Sequence, residues 1–313
     1  MDEVPETFGD YELLTCFARG GMGELFRARH RGVDDFEHQV CIKRILAEHL
    51  GKWPFEEMFV NEARITAQLS HPNIPQIHGY GRVGNVPYMA MEFIDGPDLG
   101  ITMMRARERG IEIPLPVALA IVSGLTAALS HAHGRRAMDG TPMDLVHRDV
   151  SPHNIVLSVE GDVKLVDFGL ARAWLGGRLL TPPGKFDGNE AYRAPEQLVD
   201  PMVDQRADVF SLGTLLYELV AGAPCFVGDT EEEIVKQVTT HHPDFAALAA
   251  RRRMPGALVH VLDRSLRKTA EERYASAAAM NVDLEAANAA CGFFGGPGPS
   301  QRFLKTLSGE QTP

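Results

Sequence analysis

The rhythm of apolar and polar positions changes along the chain. Over the first ninety residues the apolar positions fall in short runs, Val40-Cys41-Ile42 and Tyr88-Met89-Ala90-Met91, which predict strands, and the glycine-rich stretch at 20–23 predicts a turn. One segment departs from this. Between Phe55 and Leu69 the apolar residues Phe59, Val60, Ala63, Ile65, Ala67 and Leu69 mix with charges as on an amphipathic helix, and His71-Pro72 ends the run. After Asp95-Gly96-Pro97 helical periods dominate, at 115–134, 205–222, 230–238, 256–266 and 275–290, with short strands near 155–158 and 163–166. This predicts an α+β chain in two lobes, a small β-rich one at 11–93 and a larger α-rich one at 94–290, after a short leading segment at 1–10. The stretch 291–313, rich in Gly, Pro and Ser from Gly292 onward, predicts a loose tail.

Composition narrows the class. The chain has 313 residues, 44% of them hydrophobic and 23% charged, which excludes disorder, collagen and a disulfide scaffold. A formal charge of −11 repels nucleic acid and anionic lipid alike, so neither is an expected partner. Cys16, Cys41, Cys225 and Cys291 lie far apart and read as free thiols in a reducing compartment. The acidic start has no export signal, and a cytoplasmic location is expected. Ile113 to Gly134 is uncharged and long enough to span a membrane, yet Pro114, Pro116, Ser123, Gly124, Thr126, Ser130, His131 and His133 favour a buried domain helix, and no membrane insertion is expected.

The chemistry concentrates in two runs, Val146-His147-Arg148-Asp149-Val150-Ser151-Pro152-His153-Asn154 and Lys164-Leu165-Val166-Asp167-Phe168-Gly169. Chance assembly of His-Arg-Asp, the asparagine five places on and Asp-Phe-Gly has a probability on the order of 10⁻⁹ per start position. At these residues the chain resembles the eukaryotic-like protein kinases, and the bacterial serine/threonine branch in its GlyGly-Met-Gly loop. The resemblance extends over Ala18 to Leu25, Val40-Cys41-Ile42-Lys43, Glu62, Ala194-Pro195-Glu196, Asp208 to Gly213 and Arg273. It implies a bilobal protein-kinase-like fold, ATP and Mg²⁺ as cofactors, and a protein substrate.

It also implies roles. Phosphoryl transfer moves a group that stays anionic throughout, so a site needs positioned cations and little covalent chemistry. By resemblance Lys43 would reach the α- and β-phosphates, with Glu62 holding it as an ion pair. Asn154 and Asp167 would be hard oxygen ligands for Mg²⁺, and Asp149 would accept or orient the substrate hydroxyl proton. Gly20 and Gly23 would let the backbone approach the triphosphate. Phe17 and Leu25 above, with Val156 below, would wall the adenine slot. The backbone at Glu92 and Ile94 would read the adenine edge, the Glu92 side chain being exposed, and Asp98 would hold the ribose. Asp208 would brace the catalytic loop, and Glu196 with Arg273 would form a buried pair anchoring the activation segment. His131 with His133 and His241 with His242 have no third ligand nearby and read as structural.

Three positions depart from the family pattern. Ala18 replaces the first loop glycine, Ser151 the catalytic-loop lysine, and Asn189 the threonine that lysine contacts. Serine/threonine specificity is favoured by Pro152 and by the absence of the Ala-Ala-Arg run of tyrosine kinases. A pseudokinase that binds nucleotide without efficient transfer is the alternative, and a small-molecule phosphotransferase a second. Thr181 is expected as the phosphosite of the activation segment, read by Arg148.

Overall fold

The computed structural model describes residues 5–20, 23–32, 37–168, 190–200 and 202–309. Six antiparallel strands form the first lobe, β1 (Glu6–Phe8), β2 (Tyr11–Arg19), β3 (Gly23–Arg31), β4 (Glu37–Ile45), β5 (Ile77–Val83) and β6 (Val86–Glu92), in the order β1-β2-β3-β4-β6-β5. Helix α1 (Phe55–Thr66) lies against one face. Because successive side chains of a strand point to opposite faces, β4 feeds two cores at once. Val40 and Ile42 pack with Phe8, Leu13, Phe26, Ala28 and Ala90, whereas Ile45 packs with Phe59, Ala63 and Met89 beneath α1. Lys43 shares the parity of Ile45, and that places it toward α1.

The second lobe is built around α3 (Leu115–His133), whose buried Val117–Val122 segment, Leu125, Ala128 and Leu129 make a core helix. It is the single described helix long and apolar enough to cross a membrane, and here it packs against α4 (Arg206–Ala221), α8 (Ala277–Ala290) and the hairpin of β7 (Ile155–Leu157) and β8 (Val163–Leu165). Helices α2 (Leu99–Glu108), α5 (Glu231–Thr240), α6 (Phe245–Arg252) and α7 (Gly256–Ser265) complete the layer, and α4 ends at Gly222 in the left-handed conformation, where a residue without Cβ is unstrained.

The ends differ from the expectation. Glu6–Phe8 is no separate segment, since β1 pairs with β2 and buries Phe8. The loose tail is a correction of greater weight: residues Gly298–Ser308 form helix α9, with Ser300, Phe303 and Leu307 buried against α3 and α2. The reason is local. Pro299 occupies the first turn, where its missing N–H costs nothing, and Phe303 and Leu307 lie four apart on one face. The turn at Gly161, between β7 and β8, meets α9 so closely that an added Cβ would sit 2.4 Å from the Pro297 carbonyl oxygen. Helices α2 and α6, only ten and eight residues long, are not among the segments that the periodicity predicts.

Candidate active site

Lys43 and Glu62 come from the two elements that share the α1-side core. The Lys43 ammonium donates to Glu62 Oε1 at 2.5 Å and lies 3.4 Å from Asp167 Oδ1, so it joins the sheet, α1 and the segment after β8. Burial works against the charge on Lys43, but Asp167 and Glu62 outweigh it and hold the pKa above the ordinary lysine value. Burial pushes Glu62 up to about 7 against the pull of Lys43. An ammonium facing two carboxylates is the charged member at neutral pH.

The catalytic-loop residues hang on one buried carboxylate. Asp208 Oδ1 accepts the Arg148 N–H and Oδ2 accepts the His147 N–H, each at 2.8 Å, while His133 Nε2 lies 2.8 Å from Oδ2. Burial disfavours the charged form of Asp208, yet these bonds, with His133 foremost, hold its pKa below the usual range. Asp208 therefore braces the loop as expected. His133, read as structural, proves to be its partner. Arg148 at φ 72° and Asp167 at φ 63° occupy the left-handed region, strain that the surrounding bonds must offset. Asn154 Nδ2 donates to the Asp149 carbonyl at 2.9 Å and to Asp149 Oδ2 at 2.7 Å, fixing the carboxylate. His147 Nδ1 accepts the Asp149 N–H at 3.3 Å, which leaves the ring proton on Nε2 to donate to the Val166 carbonyl at 3.2 Å.

The residues expected to wall an adenine slot come from both lobes. Phe17 is half exposed and meets Phe93 edge-on at 6.0 Å, with the Arg27 guanidinium 5.3 Å over the Phe93 ring. Leu25 and Val156 are partly buried, on β3 and β7. Gly20 N–H closes the loop onto the Gly23 carbonyl at 2.9 Å, and Gly23 must lack a Cβ because the Arg44 carbonyl oxygen would lie 2.7 Å from it. The Glu92 N–H is spent on the Gln76 carbonyl at 2.8 Å, whereas the N–H and C=O of Ile94 bond to no described residue. Asp98 has a duty the sequence reading did not assign: Oδ1 caps α2 through the Ile101 N–H at 2.7 Å. The Glu92 side chain, expected to be exposed, is instead paired with Lys164 at 2.6 Å.

The end of the activation segment is anchored twice. Arg273 is fully buried and pairs with Glu196 through two bonds of 2.6 and 2.8 Å, while Glu218 binds Tyr192 and Arg107. Glu218 and Arg107 also line a cavity of about 290 Å³ with Met103, Ile111 and Ile113. Gln197, which no motif singles out, donates to the Arg148 carbonyl at 3.0 Å and accepts the Ala194 N–H. Thr181 and Asn189 lie outside the described residues, as do Gly21, Met22 and Gly169. Ser151 is fully buried, and its hydroxyl has no partner among the described residues. His242 is held by Asp263 at 2.9 Å.

The family implied by these residues uses Mg²⁺, and the donor set suits it. Asn154 Nδ2 is committed to Asp149, so its amide oxygen is the end left for a cation, and the Asp167 carboxylate is nearly half exposed. Residues 11–284 match the protein kinase domain. The chain belongs to the protein kinase family. Among curated relatives, this kinase domain is 35% identical over 307 residues to the tyrosine-protein kinase MasK of Myxococcus xanthus, an alignment covering 98% of this chain and 47% of that one. It is also 35% identical over 274 residues to the serine/threonine-protein kinase PknH of Mycobacterium tuberculosis, covering 88% and 41%. The kinase domain thus spans less than half the length of these relatives. The solved PknI kinase domain of Mycobacterium tuberculosis matches with a TM-score of 0.64 at 27% identity, over 90% of this chain and 98% of that one, and shares the bilobal fold.

Proposed function

We propose that this kinase domain transfers the γ-phosphoryl group of ATP to serine or threonine hydroxyls of proteins. The observation that carries the proposal is the Lys43 ammonium poised between Glu62 and Asp167, a fixed cation beside an acid at the junction of the lobes. Lys43 would orient the α- and β-phosphates, and Glu62 would keep it from collapsing onto Asp167. Asp149, its carboxylate held by Asn154, would take the hydroxyl proton as the new O–P bond forms. Bound Mg²⁺, held by Asn154 and Asp167, would neutralise charge on the phosphates. Phe17, Leu25 and Val156 would enclose the adenine, Ile94 and the Glu92 carbonyl would read its edge, and Gly20 and Gly23 would admit the phosphates. Asp98 Oδ2 would face the ribose. Among the described residues no two cysteines form a disulfide, and a reducing, cytoplasmic setting is part of this proposal.

Tyrosine transfer is a second reading, motivated by the similarity to MasK. Radiolabelled transfer onto the chain itself and onto a generic basic protein, with an Asp149→Asn control and separation of the phosphoamino acids, tests both. Phosphoserine or phosphothreonine lost in the control supports the first reading, and phosphotyrosine alone supports the second. Nucleotide binding without any transfer would make the chain a pseudokinase. Phosphorylation at Thr181, if mapped in the same samples by mass spectrometry, identifies it as the switch read by Arg148; full activity of Thr181→Ala denies that role.

A further inference from the structure

Lys164 lies in β8, three residues ahead of Asp167, and nothing in its motif assigns it work. Its backbone is in register with Val156, the floor of the slot, and its side chain is nine-tenths buried. The ammonium reaches out of the second lobe and meets both oxygens of Glu92, at 2.6 Å to Oε1 and 2.8 Å to Oε2. Glu92 Oε2 also accepts the Gln76 N–H at 3.1 Å, and the Glu92 backbone is the last pair of β6 with β4. Beyond Glu92 the hinge begins.

The strand carrying Lys164 is clamped along its length. The Leu165 N–H donates to the Asn73 carbonyl and Asn73 Nδ2 donates to the Val163 carbonyl, each at 2.8 Å, and the Val166 N–H donates to the Asn154 carbonyl at 2.9 Å. β8 therefore cannot slide without disturbing Asn154 and Asp167. A lysine here that reached solvent would leave the hinge and this strand independent. Bonded to Glu92, it fixes the distance between the backbone that would read adenine and the residues that would hold the phosphate-bound metal. We propose that the Glu92–Lys164 ion pair is a latch that sets the spacing between the adenine-reading hinge and the strand leading to Asp167, with Lys164 a positioning residue for nucleotide.

The proposal rests on the ATP-dependent reading given above, and its test separates the two. Binding of a non-hydrolysable ATP analogue with Mg²⁺ is measured by calorimetry for the whole chain as wild type, Lys164→Met, Lys164→Arg, Glu92→Gln and the Glu92→Gln/Lys164→Met pair, with thermal unfolding recorded for each. Where transfer occurs, KM for ATP and kcat are also resolved. Methionine keeps the buried stem and removes the charge, and it leaves Glu92, a third exposed, open to solvent. Lys164→Met is expected to weaken nucleotide binding about five- to tenfold and raise KM for ATP equally, with kcat changed less than twofold. Lys164→Arg should recover most of the loss, and the double variant should be weakened no further than either single one. Loss of thermal stability with unchanged nucleotide affinity would make the pair a brace and overturn the latch, as would strictly additive effects. A wild type that binds no nucleotide would instead overturn the functional reading on which the latch depends.

Discussion

Asp208 and Arg148 meet through a 2.8 Å bond from the Arg148 N–H to the buried carboxylate, at the residue whose backbone enters the left-handed region immediately before Asp149. A strained peptide beside a catalytic candidate persists only where its alternatives cost more. Asp208→Asn places an amide NH₂ against donors and should lower unfolding free energy by about 3 kcal/mol, read from the chemical denaturation midpoint. The sign of its pH dependence follows from the depressed pKa: stability from Asp208 is present above the ordinary carboxylate value of 3.8 and is lost as pH falls through the lower folded value. The variant should therefore show a flatter acid limb. An unchanged midpoint would remove Asp208 as the brace.

Lys43→Met should cut transfer by at least about a hundredfold while preserving the fold. It also tests the pair in the absence of catalysis. Glu62 has a raised pKa, so its contribution to stability is complete below the ordinary value of 4.5 and is lost as pH rises toward about 7. Without the ammonium the folded pKa climbs further, so wild type stops losing stability near pH 7 while the variant goes on losing it, and the gap between them should widen from about pH 6 to 8, by about 1.4 kcal/mol per pH unit at most. A constant gap across that range would show that the two side chains are not electrostatically coupled.

Helix α9 should be part of the folded unit. Phe303→Ala removes a buried ring and is expected to cost about 3 kcal/mol. Gly161→Ala should act through the same contact, because φ is +93° and the new methyl would strike the Pro297 carbonyl. If removal of residues 292–313 leaves the melting temperature unchanged, the packing of α9 contributes nothing.

Lys268 packs its ammonium over Phe226 at 4.3 Å and donates to the Val238 carbonyl at 2.7 Å. Burial lowers its pKa to about 8. The unfolded chain then binds more protons between pH 8 and the ordinary 10.5, so stability attributable to this residue rises across that window. Lys268→Met should abolish that rise in a series of thermal melts. A variant that keeps the wild-type slope would assign it to another group.

What the sequence disclosed followed from spacing. Asp149, Asn154 and Asp167 lie close enough along the chain for their order to carry meaning, whereas the side of β4 that Lys43 occupies, with Ile45 and away from Val40 and Ile42, emerges only from the packing of the two cores. The Glu92–Lys164 pair was illegible because 72 residues separate its members and a charged hinge residue ordinarily reads as solvated. His133 gave the same difficulty: its partner, Asp208, is 75 residues away. Glycine and proline at 292–299 concealed α9, since the pattern signalling a break also occurs at a helix start, and Phe303 with Leu307 was too short an apolar signal to outweigh it.

The contact of Gly161 with Pro297 and Gln301 also has a mechanical consequence. α9 is a stiff rod, and one end abuts the turn joining β7 and β8, the strand that follows Asn154 and the strand that leads to Asp167. Tension applied beyond Gly309 would be borne by Phe303 and Leu307 before it reached any other part of the second lobe. Once those side chains gave way, the Gly161 turn would lose its support, and the load would fall on Asn154 and Asp167 at the two ends of the hairpin.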